Sequence, residues 1–112
     1  MWQLRAGGLL GATSVATGAA GAHALGDRDP AYVAIWKTAV QYHQCHALAL
    51  LATPMAAAPR ARLVAGLCFA SGTCLFSGSC YAVAWTEDRT YGRPAPVGGL
   101  LLIGGWLALA LL

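Results

Sequence analysis

Four apolar stretches, at about residues 3–25, 39–58, 63–86 and 97–112, make up most of this 112-residue chain, and of its charged side chains only Arg5 lies inside one. Each stretch holds 16 to 24 residues, close to the roughly 20 that cross a hydrocarbon layer of about 30 Å. Lipid offers the backbone no hydrogen-bond partner, so an apolar span of that length must be helical. A water-soluble fold is excluded on the same ground. Charged residues are 10% of the chain, against roughly 25% in an ordinary soluble domain, and mean hydropathy is +0.59. The links "GDRDP", "PRAR" and "EDRTYGRPAP" are short and turn-rich, which forces neighbouring helices to run antiparallel. The sequence therefore predicts one all-α domain over residues 1–112, a four-helix transmembrane bundle of antiparallel up-down topology.

The first stretch also carries features of a secretory signal, with Arg5 ahead of an apolar run and Ala22-His23-Ala24 as a small-x-small pattern. It is about twice the length of a signal core and is diluted by glycine and threonine, so a retained helix is the expectation. Ahead of the second span, Asp29 suits an N-cap and Pro30 a first helical turn. Tyr32, Trp36, Val40, His43 and His46 then recur at helical spacing. Residues 30–38 read as an interfacial helical lead-in, with Tyr32, Trp36 and Lys37 as anchors at the headgroups. Trp85, with Tyr81 and Tyr91, anchors the far end of the third span. Arg5, Arg60 and Arg62 fall on one side of the bilayer, and Arg28, Lys37, Arg89 and Arg93 on the other. That near-balance leaves orientation open, with the tight Arg60/Arg62 link favouring both termini inside.

Small residues mark the packing faces, since close backbone approach drives helix association in lipid. They are Gly7 and Gly11, Gly66 with Ala70, Gly104 with Ala108, and the small polar run of Ser77 and Gly78 beside Ser71 and Ser79. Cys45, Cys68, Cys74 and Cys80 all lie in apolar segments without CxxC spacing, and on a helix the last three point in different directions. They read as small apolar residues rather than as a disulfide or metal set.

The blocks "GAAGAHAL", "TAVQYHQCHALALL", "LFSGSCYAVAWT" and "PVGGLLLIGGWLALA" occur here in that order. They resemble domain-of-unknown-function family 423, also known as the transmembrane protein 256 family, over nearly the whole chain. The resemblance implies a four-helix integral membrane protein of bacteria and mitochondria, and it brings no reaction, cofactor or catalytic residue. Where that family has Met-Phe or Met-Tyr between two histidines, this chain has Gln44 and Cys45, so no role is assigned to Cys45.

The stretch "AVQYHQCHALALL" raises the question of function. His23, Gln41, His43 and His46 form a candidate polar cluster near the membrane rim, where imidazoles hydrogen-bond across helices. Two other readings stand beside that one. Imidazole is a common metal ligand, so haem or a metal ion is an alternative to no cofactor at all. Ionisable groups in a membrane also mark proton paths, so a small transporter or channel, or a proton- or quinone-linked protein using His23, His43 and His46, is the rival class. No nucleophile–base pair, paired carboxylates or phosphate loop is present, which argues against an enzyme. Glu87, Asp88 and Arg89 read as a solvated loop. The net charge of +3 does not gather into a patch, so nucleic acid is not an expected partner. The expected partners are the lipid bilayer and other membrane subunits. The leading expectation is a non-catalytic auxiliary subunit of a larger, energy-transducing complex in a bacterial or mitochondrial inner membrane.

Overall fold

The computed structural model describes residues 1–112 as four helices and no strand: α1 (Trp2–Ala24), α2 (Pro30–Ala52), α3 (Pro59–Thr86) and α4 (Ala95–Leu111), with 3-10 turns at Thr53–Met55 and Arg89–Gly92. Local chemistry sets the ends. Asp29 accepts from the Ala31 amide at 2.9 Å ahead of Pro30, the N-cap and first-turn proline expected. α2 stops at Ala52, six residues short of the predicted 58. Pro54 has no N–H to continue the ladder, and Thr53 turns its hydroxyl back to Leu50 O at 2.8 Å. α3 starts at Pro59, earlier than predicted. Arg62, in its first turn, ties the connection by donating to Ala56 O at 2.6 Å and Ala57 O at 3.1 Å. α3 ends on Glu87 in the left-handed region, φ 54°.

Neighbouring helices are antiparallel. Gly7 of α1 meets Leu51 at the end of α2, while Gly21 meets Trp36 near its start. α3 lies along α2, with Ser77 donating to Ala39 O at 2.8 Å. α1 also touches α3, Gly66 receiving the ring of Trp2. α3 and α4 meet most closely. A Cβ at Gly98 would land on the backbone of Leu75 and Phe76, one at Gly72 would lie 3.0 Å from Gly98 O, and one at Gly105 would strike the Phe69 ring. Of the stripe expected on α4, Gly104 is one residue out of phase, with only Cys68 Sγ at 3.7 Å, and Gly105 takes the contact.

The core is thin. Only 26 of 112 residues are buried. They centre on Leu50, Ala65, Phe69, Leu102 and Ala108, with a second group around Leu25, Trp36 and Ala84. The polar residues His43, His46, Thr73 and Ser77 are inside, whereas Leu9, Val15, Leu48, Leu100 and Leu111 are more than 60% exposed. An apolar exterior around a partly polar interior is what lipid as the solvent selects. Two segments, Pro59–Thr86 and Arg89–Leu111, are long and apolar enough to cross a membrane. α1 and α2 match them in length and fall below them in hydropathy, because α1 is rich in glycine and alanine and α2 carries Lys37, two glutamines and two histidines. Both lie alongside α3 and share its depth. Residues 30–38 are the first turns of one continuous α2, as expected of a helical lead-in, with Trp36 buried against α1.

Candidate functional site

Because α2 begins at Pro30, His43 sits thirteen residues along a 23-residue helix, about 20 Å of roughly 35 Å. Its partner Thr13 is the middle residue of α1, and Thr73 is at the middle of α3. The imidazole is therefore near mid-height of the bundle. The rim placement follows from starting the span at residue 39.

Three helices supply a hydrogen-bonded chain there. Thr13 Oγ1 donates to its own helix, 2.9 Å from Leu9 O and 3.0 Å from Leu10 O, which leaves its oxygen to accept from His43 Nε2–H at 3.1 Å. With the proton on Nε2, His43 Nδ1 accepts from the Tyr81 hydroxyl at 2.8 Å, and Tyr81 accepts from Thr17 at 2.8 Å. These assignments follow from satisfying the network. A second proton on Nδ1 would reverse the two hydroxyls, Tyr81 donating to Thr17 and Thr17 to Ser14 O at 3.1 Å. The chain can hold one extra proton without orphaning a donor. Trp36 Nε1–H closes its upper end on Thr17 O at 2.8 Å, and its ring packs 4.6 Å from that of Tyr81.

His46 is separate. It faces α4, where Trp106 Nε1–H donates to its Nε2 at 3.0 Å. Its Nδ1–H must then donate to Tyr42 O at 2.7 Å, which fixes a neutral tautomer. The ring packs against Phe69 and Trp106, each 5.7 Å away between centroids. His23 is exposed at the end of α1 and Gln41 is exposed on α2. The structure thus brings none of the four predicted residues together. Both nitrogens of each buried imidazole are engaged, so a metal or haem iron could bind only by breaking these bonds, and no group of three His, Cys, Asp or Glu side chains is placed to hold an ion.

Other expectations resolve residue by residue. Gly7, Gly66 and Ser77 lie in helix contacts, whereas Gly11 and Gly78 face open space. Of the anchors, Trp85 is half-exposed under the Arg28 guanidinium at 5.3 Å, Tyr32 lies under Arg89 at 5.3 Å, and Lys37 is exposed. Trp36 and Tyr81 are internal. Sequence reasoning did not single out Thr13, Thr17 or Trp106; it placed Thr73 with Ser71, Ser77 and Ser79 among the midplane hydroxyls of the third span, expected to bond their own helix carbonyls, and Thr73 does not. The one available signal was the i, i+4 spacing of Thr13 and Thr17 in the middle of a helix rich in glycine and alanine.

Between α1 and α3 the chain borders a crevice of about 270 Å³, lined among others by Thr13, His43, Thr73, Cys74, Gly78 and Tyr81. Thr13, Cys74 and Gly78 are exposed at its mouth, and Thr73 is buried at its inner wall. The hydroxyl of Thr73 is the only buried side-chain polar atom with no partner.

Residues 17–99 match the family described as "Protein of unknown function (DUF423)". The chain belongs to that family. Its curated relatives include a UPF0382 membrane protein of Staphylococcus haemolyticus, 41% identical over 92% of this chain and 87% of the relative. A UPF0382 membrane protein of Bacillus subtilis is 36% identical over 84% of this chain and 80% of the relative. One of Schizosaccharomyces pombe is 34% identical over 95% of this chain and 94% of the relative. No solved structure matches the chain. With the apolar exterior of the bundle, the family places this chain among membrane proteins.

Proposed function

We propose that the protein is a non-catalytic subunit that docks through the outer face of α1 onto a helix of a larger membrane complex. The observation that carries this reading is a stripe on α1 that its own bundle leaves unused. Leu4, Gly8, Gly11 and Val15 follow one another at i+4, i+3 and i+4 and none is buried, with Leu4 52% and Val15 66% exposed. A Cβ at Gly8 or Gly11 would meet nothing within 4 Å. Large residues at both ends and bare backbone between them form a saddle, the shape that lets a second helix approach closely in lipid. Gly7 and Gly66 are already consumed inside the bundle; Gly8 and Gly11 are not. Relatives in bacteria and in a fission yeast fit a complex common to bacterial and mitochondrial inner membranes, an energy-transducing one being the natural class.

The relay reading is weaker on this geometry. His23 and His46 stand outside the chain of Thr13, His43, Tyr81 and Thr17, which ends on the Ser14 carbonyl. Mild detergent extraction followed by native gels tests the subunit role. The wild-type chain is expected in a high-mass band that a Gly8→Leu/Gly11→Leu double variant leaves, with helical content unchanged because both positions have room. A wild-type chain that runs alone, or a double variant still in the band, refutes the proposal.

A further inference from the structure

We propose that the crevice between α1 and α3 is a binding site for the head of a lipid-soluble quinone. The site is defined by what its walls lack. Thr13 donates to Leu9 and Leu10, Ser77 to Ala39, and Tyr81 and His43 to members of their own chain. The one hydroxyl with nothing to donate to is Thr73, which is 2% exposed and lines the same crevice. A buried donor without an acceptor is costly, and at mid-depth in a bilayer no water stands ready to satisfy it. The missing group is therefore an acceptor such as a carbonyl oxygen.

Three further features narrow the class. No carboxylate, lysine or arginine lines the crevice, so a charged ligand would be left uncompensated in a low-dielectric place. The volume of about 270 Å³ lies just below the roughly 300 Å³ at which drug-sized sites begin, which suits one ring with small substituents. The mouth, at Thr13, Cys74 and Gly78, lies near the middle of α1 and α3, so the ligand must arrive from the acyl-chain region and leave its tail there. Lipid ester carbonyls sit at the interface, far from this depth. A neutral ring carbonyl carried on an apolar tail meets all three requirements. His43, Tyr81 and Leu10 line the crevice beside the ring, and since the His43 nitrogens and the Tyr81 hydroxyl are bonded to one another and to Thr13 and Thr17, the ring meets a mainly apolar wall.

The test uses the full chain in lipid nanodiscs, with decylubiquinone and 2-methyl-1,4-naphthoquinone as probes. The readout is quenching of tryptophan fluorescence, since the Trp36 ring lies 4.6 Å from that of Tyr81 on the crevice wall. Saturable quenching is expected in the wild type. Thr73→Val keeps the shape and removes the hydroxyl, so the dissociation constant should rise roughly three- to tenfold, the scale of one hydrogen bond. Gly78→Leu should abolish saturation: a Cβ there meets nothing within 4 Å, so the variant folds and its side chain fills the mouth. Decane, which has the tail and no carbonyl, should not compete. Unsaturable quenching in the wild type, equal affinity in both variants, or displacement by decane would each overturn the assignment.

Discussion

Gly98→Ala is the most demanding test of the packing between α3 and α4. The new Cβ would fall on the Phe76 amide nitrogen and lie 2.9 Å from both Leu75 C and Phe76 Cα. Comfortable carbon contacts are about 3.5–4.0 Å, so the two helices must part by about 1 Å at this point. Both sides of the clash are backbone, and no side chain can rotate to relieve it. Separation also loosens Leu102 against Gly72 and Phe69 against Gly105, which share the seam. Overpacking of this kind costs about 1–3 kcal/mol, and rigid backbone on both sides puts Gly98 at the top of that range. Alanine's better helix propensity returns at most about 1 kcal/mol, leaving a net loss of about 2 kcal/mol. Gly104→Ala is the internal control. Its Cβ meets only Cys68 Sγ at 3.7 Å, an ordinary contact, so propensity alone should stabilise it by about 0.5–1 kcal/mol. Unfolding from mixed micelles by titration with dodecyl sulfate, followed by circular dichroism, gives both numbers. If the two variants unfold together, the close approach of α4 to α3 is wrong.

Glu87 ends α3 at φ 54°, a conformation that costs a non-glycine residue about 1–2 kcal/mol. Its ion pair with Arg28 is long, 3.8 Å, and partly exposed, hence worth little, so Glu87→Gly should raise stability by about 1 kcal/mol in the same titration. In Trp106→Phe, His46 Nε2 loses its donor, and interhelical bonds in membranes average about 0.6 kcal/mol with a maximum near 1.7. A loss within that range, with a shifted imidazole Nε2 resonance by ¹⁵N NMR, is expected; an unmoved resonance would refute the Trp106–His46 bond. The Thr90 hydroxyl, and then its amide, hold the Asp88 carboxyl below the usual carboxylate range. A lowered folded value means the stabilisation is present above the unfolded pKa, about 3.9, and disappears as pH falls through the folded one. A ¹³C carboxyl titration should show Asp88 returning to the ordinary range in Thr90→Ala, and no change there would discard the turn geometry.

The architecture was legible in the sequence because lipid imposes it: four long apolar stretches, charged links and antiparallel order all follow from the absence of water. The helix faces were less legible where glycines come in pairs. At Gly98-Gly99 and Gly104-Gly105 adjacent residues differ by about 100° around the helix, and composition does not say which one points inward. The seam of Gly98, Leu102, Gly105 and Ala108 emerges only when α4 is set against Phe69 and Phe76. Height in the bundle was hard to read for a similar reason. Tyr32, Trp36 and Lys37 looked like headgroup anchors, which moved the membrane boundary to residue 39 and the histidines to the rim. Trp36 turns inward to Thr17, and α2 runs unbroken from Pro30, so His43 falls near the middle of the helix. Nor could sequence separate His43 from His46. About 60° apart on one helix, they share a general direction, yet the neighbours that claim them belong to opposite sides of the bundle.

Mid-depth polarity is tolerated here because nearly every hydroxyl is answered close to home. Ser14, Ser71, Ser79 and Thr86 each donate to a carbonyl three or four residues earlier on the same helix, the habit of short polar side chains where water is absent. Such bonds carry no information about neighbours. Ser77 differs, reaching across to Ala39 O, and so do Thr13 and Thr17, which join α1 to His43 and Tyr81. Those three bonds fix the register of α1, α2 and α3 in a way that interchangeable alanines and leucines do not. Thr73 could have answered its own helix as Ser71 does, and it does neither that nor a crossing bond. A helix that satisfies its other hydroxyls, locally at Ser71, Ser79 and Thr86 and across the bundle at Ser77 and Tyr81, leaves this one without a partner beside a crevice, and the same crevice holds the only imidazole in contact with a chain of reversible hydroxyls. Polar residues that merely lock a bundle would be expected to close on one another; here one stays buried and unpartnered at the wall of the space between α1 and α3.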